Sequence, residues 1–393
     1  MLISEKIDQA KKLLKEFDID CWLTFTRESQ INGDPVLCFL TNSAVTWHSA
    51  FIITKSGKSH AIVGKYDKKS IEDLGAYDSV EEFVEDFKKP LQAYLKKIDP
   101  WKIAINYSMD SEICDGLTHG MFLTLFLLLR EIGMEKRLVS AEKIVSALRE
   151  RKSQLEIDYI KSAIKHTEDI FNKVAKFIKP GKTEQQIALF MKDEVKKKKL
   201  ECAWNENSCP SVFTGPDTAE AHYEPTSKKV KKGHVLNMDF GVKYNGYCSD
   251  LQRTFYILEN GEKKAPEAVQ RGFDTIIEAV DVSKSALMCG VQGIEVDVIA
   301  REILLAKGYE EFPHALGHQV GRYAHDGTVL LGPAWEKYAQ KPFKKTEPNM
   351  VFTIEPRLNV PDRGIVTVEE MVRVTEKDSE YLSTPQKKLI LIK

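Results

Sequence analysis

The stretch VLNMDFGVKYNGYCSDLQRTF, residues 235–255, sets two carboxylates, Asp239 and Asp250, inside runs that otherwise read as β-strands. Carboxylates are depleted from strands, and a buried one is costly unless it is paired or bound to a metal. Asn245-Gly246 is the strongest short signal for a two-residue type I′ hairpin loop. That loop sets Tyr244 opposite Tyr247, Val242 opposite Ser249 and Gly241 opposite Asp250. Asp239 then shares a face with Asp250, as a diagonal pair roughly 7–8 Å apart at the backbone. Side chains leaning together from that distance can hold one cation or share one of a pair. The alternative is a strand whose acids face water, so the choice rests on finding further ligands.

The rest of the chain limits the setting. Its 393 residues are enough for two domains, each with its own core. Hydrophobic residues make up 42% and charged residues 29%, the balance of an ordinary soluble protein. A net charge of −1 gives no electrostatic reason to expect nucleic acid or an anionic membrane as partner. MLISEKIDQAKKLL reads as an amphipathic helix without the apolar core or cleavage site of a signal peptide. The longest apolar run, Met121–Leu129, is far short of the ~20 residues that span a bilayer and predicts a buried helix. Seven scattered cysteines with no Cys-x-x-Cys pair predict reduced thiols in a cytoplasmic protein, not a disulfide framework or thiolate zinc site.

Residues 1–150 alternate helix and strand patterns and predict an α/β domain. CWLTFT, SAFIITKSG, SHAIVGK and KIAINYS are its strands, and SVEEFVEDFKKPLQAYLKKI reads as one helix. No cluster of His, Asp or Glu there suggests a site. Residues 153–393 form the second domain and open on a long helix with a stripe of Ile157, Ile160, Ala163, Ile164 and Ile170. Pro180-Gly181 ends that helix, and Thr183 to Gln186 resembles a capped start of the next. Hairpins and helices then mix, with helical segments at about 264–287 and 294–307.

Further ligand candidates follow. FPHALGHQVGRYAHDG carries His314, His318 and His325, and its Pro313, Gly317 and Gly321 predict an irregular strand or loop. In MVFTIEPRLNVPDRGIVTVEEMVRV, Pro361 to Gly364 marks a second hairpin turn. A two- or four-residue loop would set Glu355 opposite Glu370, and a three-residue loop with a bulge would set it opposite Glu369. Residue spacing alone leaves both open. Four carboxylates and one imidazole make a hard, oxygen-rich donor set that suits manganese(II), iron(II) or cobalt(II), with zinc as a further option. Four negative charges exceed what one divalent ion balances, whereas two ions with bridging carboxylates balance them and can activate water for hydrolysis.

In order and context, Asp239, Asp250, His318, Glu355 and Glu369 resemble the ligand series of the pita-bread metallopeptidases. That family contains methionine aminopeptidase, Xaa-Pro aminopeptidase, prolidase and the metal-free relative creatinase. NMDFG…YCSDLQRTF, HALGHQVG…HD, VFTIEP and VTVEE carry the resemblance, and GPDTAEAHYEPT with His222 matches a further active-site segment. The resemblance spans roughly residues 153–393, and an N-terminal α/β domain of this length is typical of the creatinase and prolidase branch. It implies an α/β N-terminal domain followed by an α+β pita-bread catalytic domain. It also implies an Xaa-Pro dipeptidase or aminopeptidase with two divalent ions per chain, manganese first and cobalt, iron or zinc as alternatives. Asp239 would bind one ion, His318 and Glu355 the other, and Asp250 and Glu369 would bridge them, which selects Glu369 over Glu370. A bridging hydroxide would be the nucleophile, with Glu355 handling its proton. His222, His314 and His325 would line the substrate site and help stabilise the developing oxyanion. Asp326, Arg253 and Thr254 would support the ligands. A small peptide is the implied substrate, with no nucleic acid or membrane partner, and a homodimer the implied assembly.

Three features depart from the family pattern. Arg357 stands where a glycine normally follows the Glu-Pro pair, GRYAHDG replaces a more apolar segment, and a lysine-bearing insertion precedes Glu355. These bear on substrate more than on metal. The rival expectations are a C–N hydrolase of creatinase type and a non-catalytic pita-bread binding protein. Both tend to lose ligands, and here all five stand.

Overall fold

A computed structural model describes residues 2–216 and 223–393. They fall into two compact units, Met1–Arg149 and Glu150–Lys393.

The first unit is built on one six-stranded sheet, in the order Ser79–Phe83, Ser59–Gly64, Ser49–Thr54, Cys21–Thr26, Ile103–Ile105, Leu138–Ser140. The three central strands are antiparallel neighbours, and the outer pairings are parallel. Helices cover both faces. Leu2–Glu16 buries Ile7, Ala10, Leu13 and Leu14 on one side, and Lys88–Ile98 with His119–Arg130 closes the other. The single helix expected over SVEEFVEDFKKPLQAYLKKI is two elements. Ser79–Phe83 is an edge strand parallel to Ser59–Gly64, and the helix begins only at Lys88. An edge strand packs Val80 and Phe83 to opposite sides while leaving Glu81 and Glu82 in water, so the helix-favouring acids are tolerated there. The apolar run Met121–Leu129 is helical, but it buries one stripe, Met121, Leu125 and Leu129. No helix among the described residues is long and apolar enough to cross a membrane. None of the seven cysteines forms a disulfide.

The second unit opens on the helix Gln154–Phe177, whose start is fixed by a capping box between Ser153 and Glu156. Its stripe Ile157, Ile160, Ala163, Ile164 and Ile170 is buried, as the spacing predicts. A second capping box, Thr183 with Gln186, starts the helix Glu184–Lys197. The strands form curved, linked sheets. Ile390–Ile392, Leu251–Ile257, Val235–Phe240 and Ser211–Thr214 make one, and Val351–Ile354, Glu370–Val374 and Ser379–Tyr381 another. A bridge between Gln252 and Glu369 joins these two sheets, and a bridge between Gln319 and Phe352 attaches the histidine segment. Helices Glu267–Ala286 and Gly293–Ala306 pack their apolar faces (Phe273, Ile276, Val296, Leu304) into one core with Phe352, Ile354, Val366 and Val372. Phe352 and Ile354 face that core, so Thr353 between them points to the other side of its strand.

Candidate metal centre

The aspartate hairpin has the register its turn dictates. Asn245 and Gly246 both take positive φ, as a type I′ loop requires, and Tyr244 pairs with Tyr247. The same register runs back to Phe240 opposite Leu251 and Asp239 opposite Gln252. Gly241 is needed where the hairpin pinches, because a Cβ there would meet the Ser249 carbonyl oxygen at 1.8 Å. Asp239 and Asp250 come within hydrogen-bonding reach of each other at the end of this ladder.

The second hairpin resolves the open register. Arg357 pairs with Thr367 and Val360 with Gly364 across a three-residue loop, and Ile354 pairs with Glu370. Continuing that register sets Glu355 opposite Glu369. Glu370, one residue on, turns to the other face, where it is fully buried against Arg253. It is not the surface acid that its place in the sequence suggests.

The histidine segment runs irregularly beside Val351–Ile354, as Pro313 and its glycines predict. Thr353 N donates to the His318 carbonyl at 2.8 Å and Glu355 N to that of Leu316 at 2.8 Å. Gly317 permits this approach, since a Cβ would lie 1.9 Å from the Thr353 oxygen. His318 Nδ1 faces the carbonyl oxygen of Gln319 at 3.3 Å. A carbonyl only accepts, so Nδ1 is the donor in that contact and Nε2 is left facing the carboxylates. Nε2 lies 3.3 Å from Glu355 Oε1 and 3.8 Å from Asp250 Oδ2. One ligand atom each from Asp250, His318 and Glu369 falls within 4.8 Å of the others, the spacing of a metal-binding triad.

The electrostatics of this cluster call for a cation. Burial, then the charges of Asp239 and Glu355, push Asp250 well above the ordinary carboxylate range. Burial, then Asp250, Glu355 and Asp239, does the same to Glu369. Asp239 is pushed up to about 7, mainly by burial and next by the Glu355 charge. Burial would raise Glu355 too, but the hydrogen bond and charge of His318, aided by His314 and His325, hold it below its usual value. Buried like charges that raise one another in this way mark a site short of positive charge. Asp239 Oδ1 and Glu369 Oε2 are buried with no hydrogen-bond partner among the described residues. Buried carboxylate oxygens lacking donors, beside an imidazole lone pair, fit divalent cations.

The other histidines separate by position. The His325 ring stands edge-on to His318, with centroids 4.0 Å apart. His314 sits further out, its Nδ1 2.8 Å from the Ala315 carbonyl oxygen, and burial lowers its pKa. Both carry charge influence to Glu355. His222 lies outside the described residues.

Supporting contacts extend behind the centre. Thr254 Oγ1 donates to the Thr367 carbonyl at 2.5 Å, and Asn237 Nδ2 reaches both Thr254 Oγ1 and that carbonyl. Asp326 accepts from Arg322 N at 2.6 Å and closes the turn that carries His325. Arg357 is half-buried, and its charge bears on His314. Lys337, in the insertion, packs over the rings of Trp335 and Tyr338. The sequence reading missed Gln252 and Thr353, whose side chains reach the two oxygens of Glu355 at 3.1 and 3.3 Å. Strand alternation puts Gln252 on the same face as Asp250, and the hairpin register sets it opposite Asp239, so the signal that could have found it was already in the turn.

Comparison with known proteins gives the family and the fold. The family model described as metallopeptidase family M24 matches residues 158–376. A Mycoplasma genitalium protein, provisionally named an Xaa-Pro aminopeptidase, is 30% identical over 389 residues, 97% of each chain. Among solved structures, an X-Pro aminopeptidase from Thermotoga maritima superposes with a TM-score of 0.75 at 23% identity, covering 96% of this chain and 99% of that one. An Xaa-Pro dipeptidase from Bacillus anthracis gives 0.74 at 22%, covering 99% and 100%. These likenesses show the fold, an α/β domain followed by an α+β pita-bread domain. With the matched segment enclosing all five converging side chains, this chain belongs to metallopeptidase family M24.

Proposed function

We propose that the protein is a two-metal hydrolase that releases the N-terminal residue of Xaa-Pro peptides. The carrying observation is the convergence of Asp250, His318 and Glu369, with Glu355 3.3 Å from the His318 ring and Asp239 within hydrogen-bonding reach of Asp250, in a buried cluster where burial and like charge push Asp239, Asp250 and Glu369 above the ordinary carboxylate range. The names of the relatives support the substrate class.

In this reading Asp239 holds one ion, His318 and Glu355 the other, and Asp250 and Glu369 lie between them. When bound, two divalent ions supply the positive charge that acidifies an attacking water near neutral pH and polarises the scissile carbonyl. The chain's own groups do the rest. Glu355, held ionised by His318, accepts the proton of the attacking water and passes it to the leaving nitrogen. His325 and His314, with His222, face the substrate and donate to the oxyanion as it forms. Arg357, near His314, is the partner for a substrate carboxylate, which favours dipeptides over longer chains. Manganese as the ion, a cytoplasmic location, a homodimer and a creatinase-type N-terminal domain over residues 1–150 complete the proposal.

The test is a substrate panel on the manganese-loaded protein, with Xaa-Pro dipeptides, longer Xaa-Pro peptides and matched peptides lacking proline. The proposal expects hydrolysis of the Xaa-Pro members and at least tenfold lower kcat/KM without proline. Equal rates on both sets would remove the substrate assignment.

A further inference from the structure

Gln252 stands where the two hairpins meet. On its own strand it is the register partner of Asp239, and across the sheet junction it bridges to Glu369. Its backbone carbonyl accepts from Glu369 N at 3.2 Å, so strand pairing fixes its Cα relative to both ligand strands. The side chain is 7% exposed. Its Nε2 donates to Glu355 Oε2 at 3.1 Å, and its Oε1 accepts from Thr367 Oγ1 at 3.3 Å. A carboxylate oxygen accepts, so it is the amide nitrogen that faces Glu355. The Gln252 side chain also hydrogen-bonds the Glu369 carboxyl, which opposes the rise that burial and like charges impose on it.

We propose that Gln252 is a positioning residue of the metal centre, an uncharged clamp that orients the Glu355 and Glu369 carboxylates toward the ions. The inference rests on the two-metal reading above. A lysine or arginine here would orient the acids equally well, but its charge would offset the negative charge that draws the cations. A glutamate would set a further acceptor against carboxylates that need donors. A serine or alanine would not span from this strand to Glu355. A neutral side chain of glutamine's length supplies donors and reach with no charge. Thr353 Oγ1, 3.3 Å from Glu355 Oε1, is a second neutral donor on the same carboxyl.

The test is calorimetric titration of chelator-stripped, full-length protein with manganese(II), comparing wild type, Gln252→Met and Gln252→Asn. The methionine variant keeps the volume and loses the amide, and the asparagine variant keeps the amide and loses the reach. Both should raise the half-saturating manganese concentration about 10- to 100-fold, the usual effect of losing a residue that orients metal ligands. Binding stoichiometry and the melting temperature of the metal-free protein should stay near wild type, which a merely structural role would not allow. Unchanged manganese affinity in either folded variant would overturn the inference and leave the metal centre standing. A wild type that binds no manganese would overturn the two-metal reading with it.

Discussion

Directly behind Glu369, Arg253 and Glu370 form a buried ion pair whose removal should be felt strongly. Arg253 Nη1 donates to the carbonyls of Gln252 and Glu369, each at 2.9 Å, and lies 3.1 Å from Glu370 Oε1. Its Nη2 donates to Glu370 Oε2 at 3.1 Å and to the Thr384 carbonyl at 3.1 Å. Glu370 also accepts from Ser383 Oγ at 2.5 Å and from Gln386 N at 2.8 Å. The two side chains are 7% and 0% exposed, so water cannot replace a lost partner. Glu370→Ala strands a buried guanidinium and leaves the Ser383 and Gln386 donors without their acceptor. Breaking one side of such a pair costs about 3–5 kcal/mol. In a unit of this size that lowers Tm by roughly 6–20 °C. Urea denaturation of the metal-free protein, followed by tryptophan fluorescence, measures the loss. Arg253→Met combined with Glu370→Leu removes both charges and should cost clearly less than Glu370→Ala alone. A loss below about 1 kcal/mol for Glu370→Ala, the value of an exposed pair, would refute the reasoning.

Three other outcomes are expected. Asp34, buried in the first unit and accepting from Val36 N and Asn106 Nδ2, is pushed by burial up to about 6. Its folded pKa exceeds the unfolded one, so the folded state binds the proton more tightly and this group's contribution to stability falls as pH rises from about 4 to about 6. Asp34→Asn should flatten the stability–pH curve in that window, and an unchanged curve would show that Asp34 does not titrate there. His325→Ala should leave metal content near wild type and lower turnover by about 10²-fold, the scale of lost oxyanion or acid–base help. Metal loss in that variant, with His318→Ala fully loaded, would reverse the two roles. For Arg357, kcat/KM on an Xaa-Pro dipeptide should exceed that on its C-terminal amide, and Arg357→Ala should lose rate on the free acid alone. Equal values for acid and amide in wild type would sink the carboxylate assignment.

Much of this centre was legible because strand registers are arithmetic once a turn is known. Asn245-Gly246 allows one tight loop, and the pairing of Asp239 and Asp250 follows from it. The turn at Pro361 allowed several loop lengths, so the partner of Glu355 stayed open until the resemblance chose Glu369 and the three-residue loop supplied the register. The stripe from Ile157 to Ile170 and the capped start at Thr183 were plain in the chain, because both are local signals. What escaped depends on distant segments. Ser79–Phe83 becomes a strand only because Ser59–Gly64 offers it a parallel edge, against the helix preference of its acids. The Asn245-Gly246 register already sets Gln252 opposite Asp239, but its approach to Glu355 and Glu369 comes through a bridge between sheets. The buried pairing of Glu370 with Arg253 likewise joins two different strands, and nothing local to either residue signals it.

The central claim is that Asp239, Asp250, His318, Glu355 and Glu369 hold two catalytic ions with Asp250 between them. Elemental analysis of manganese-reconstituted, desalted wild type and Asp250→Ala, paired with Xaa-Pro hydrolysis on the same samples, tests it most directly. The account predicts about two divalent ions per wild-type chain, as a dinuclear hydrolase requires, and loss of metal and turnover together in Asp250→Ala. Full metal content with full turnover in Asp250→Ala would contradict it.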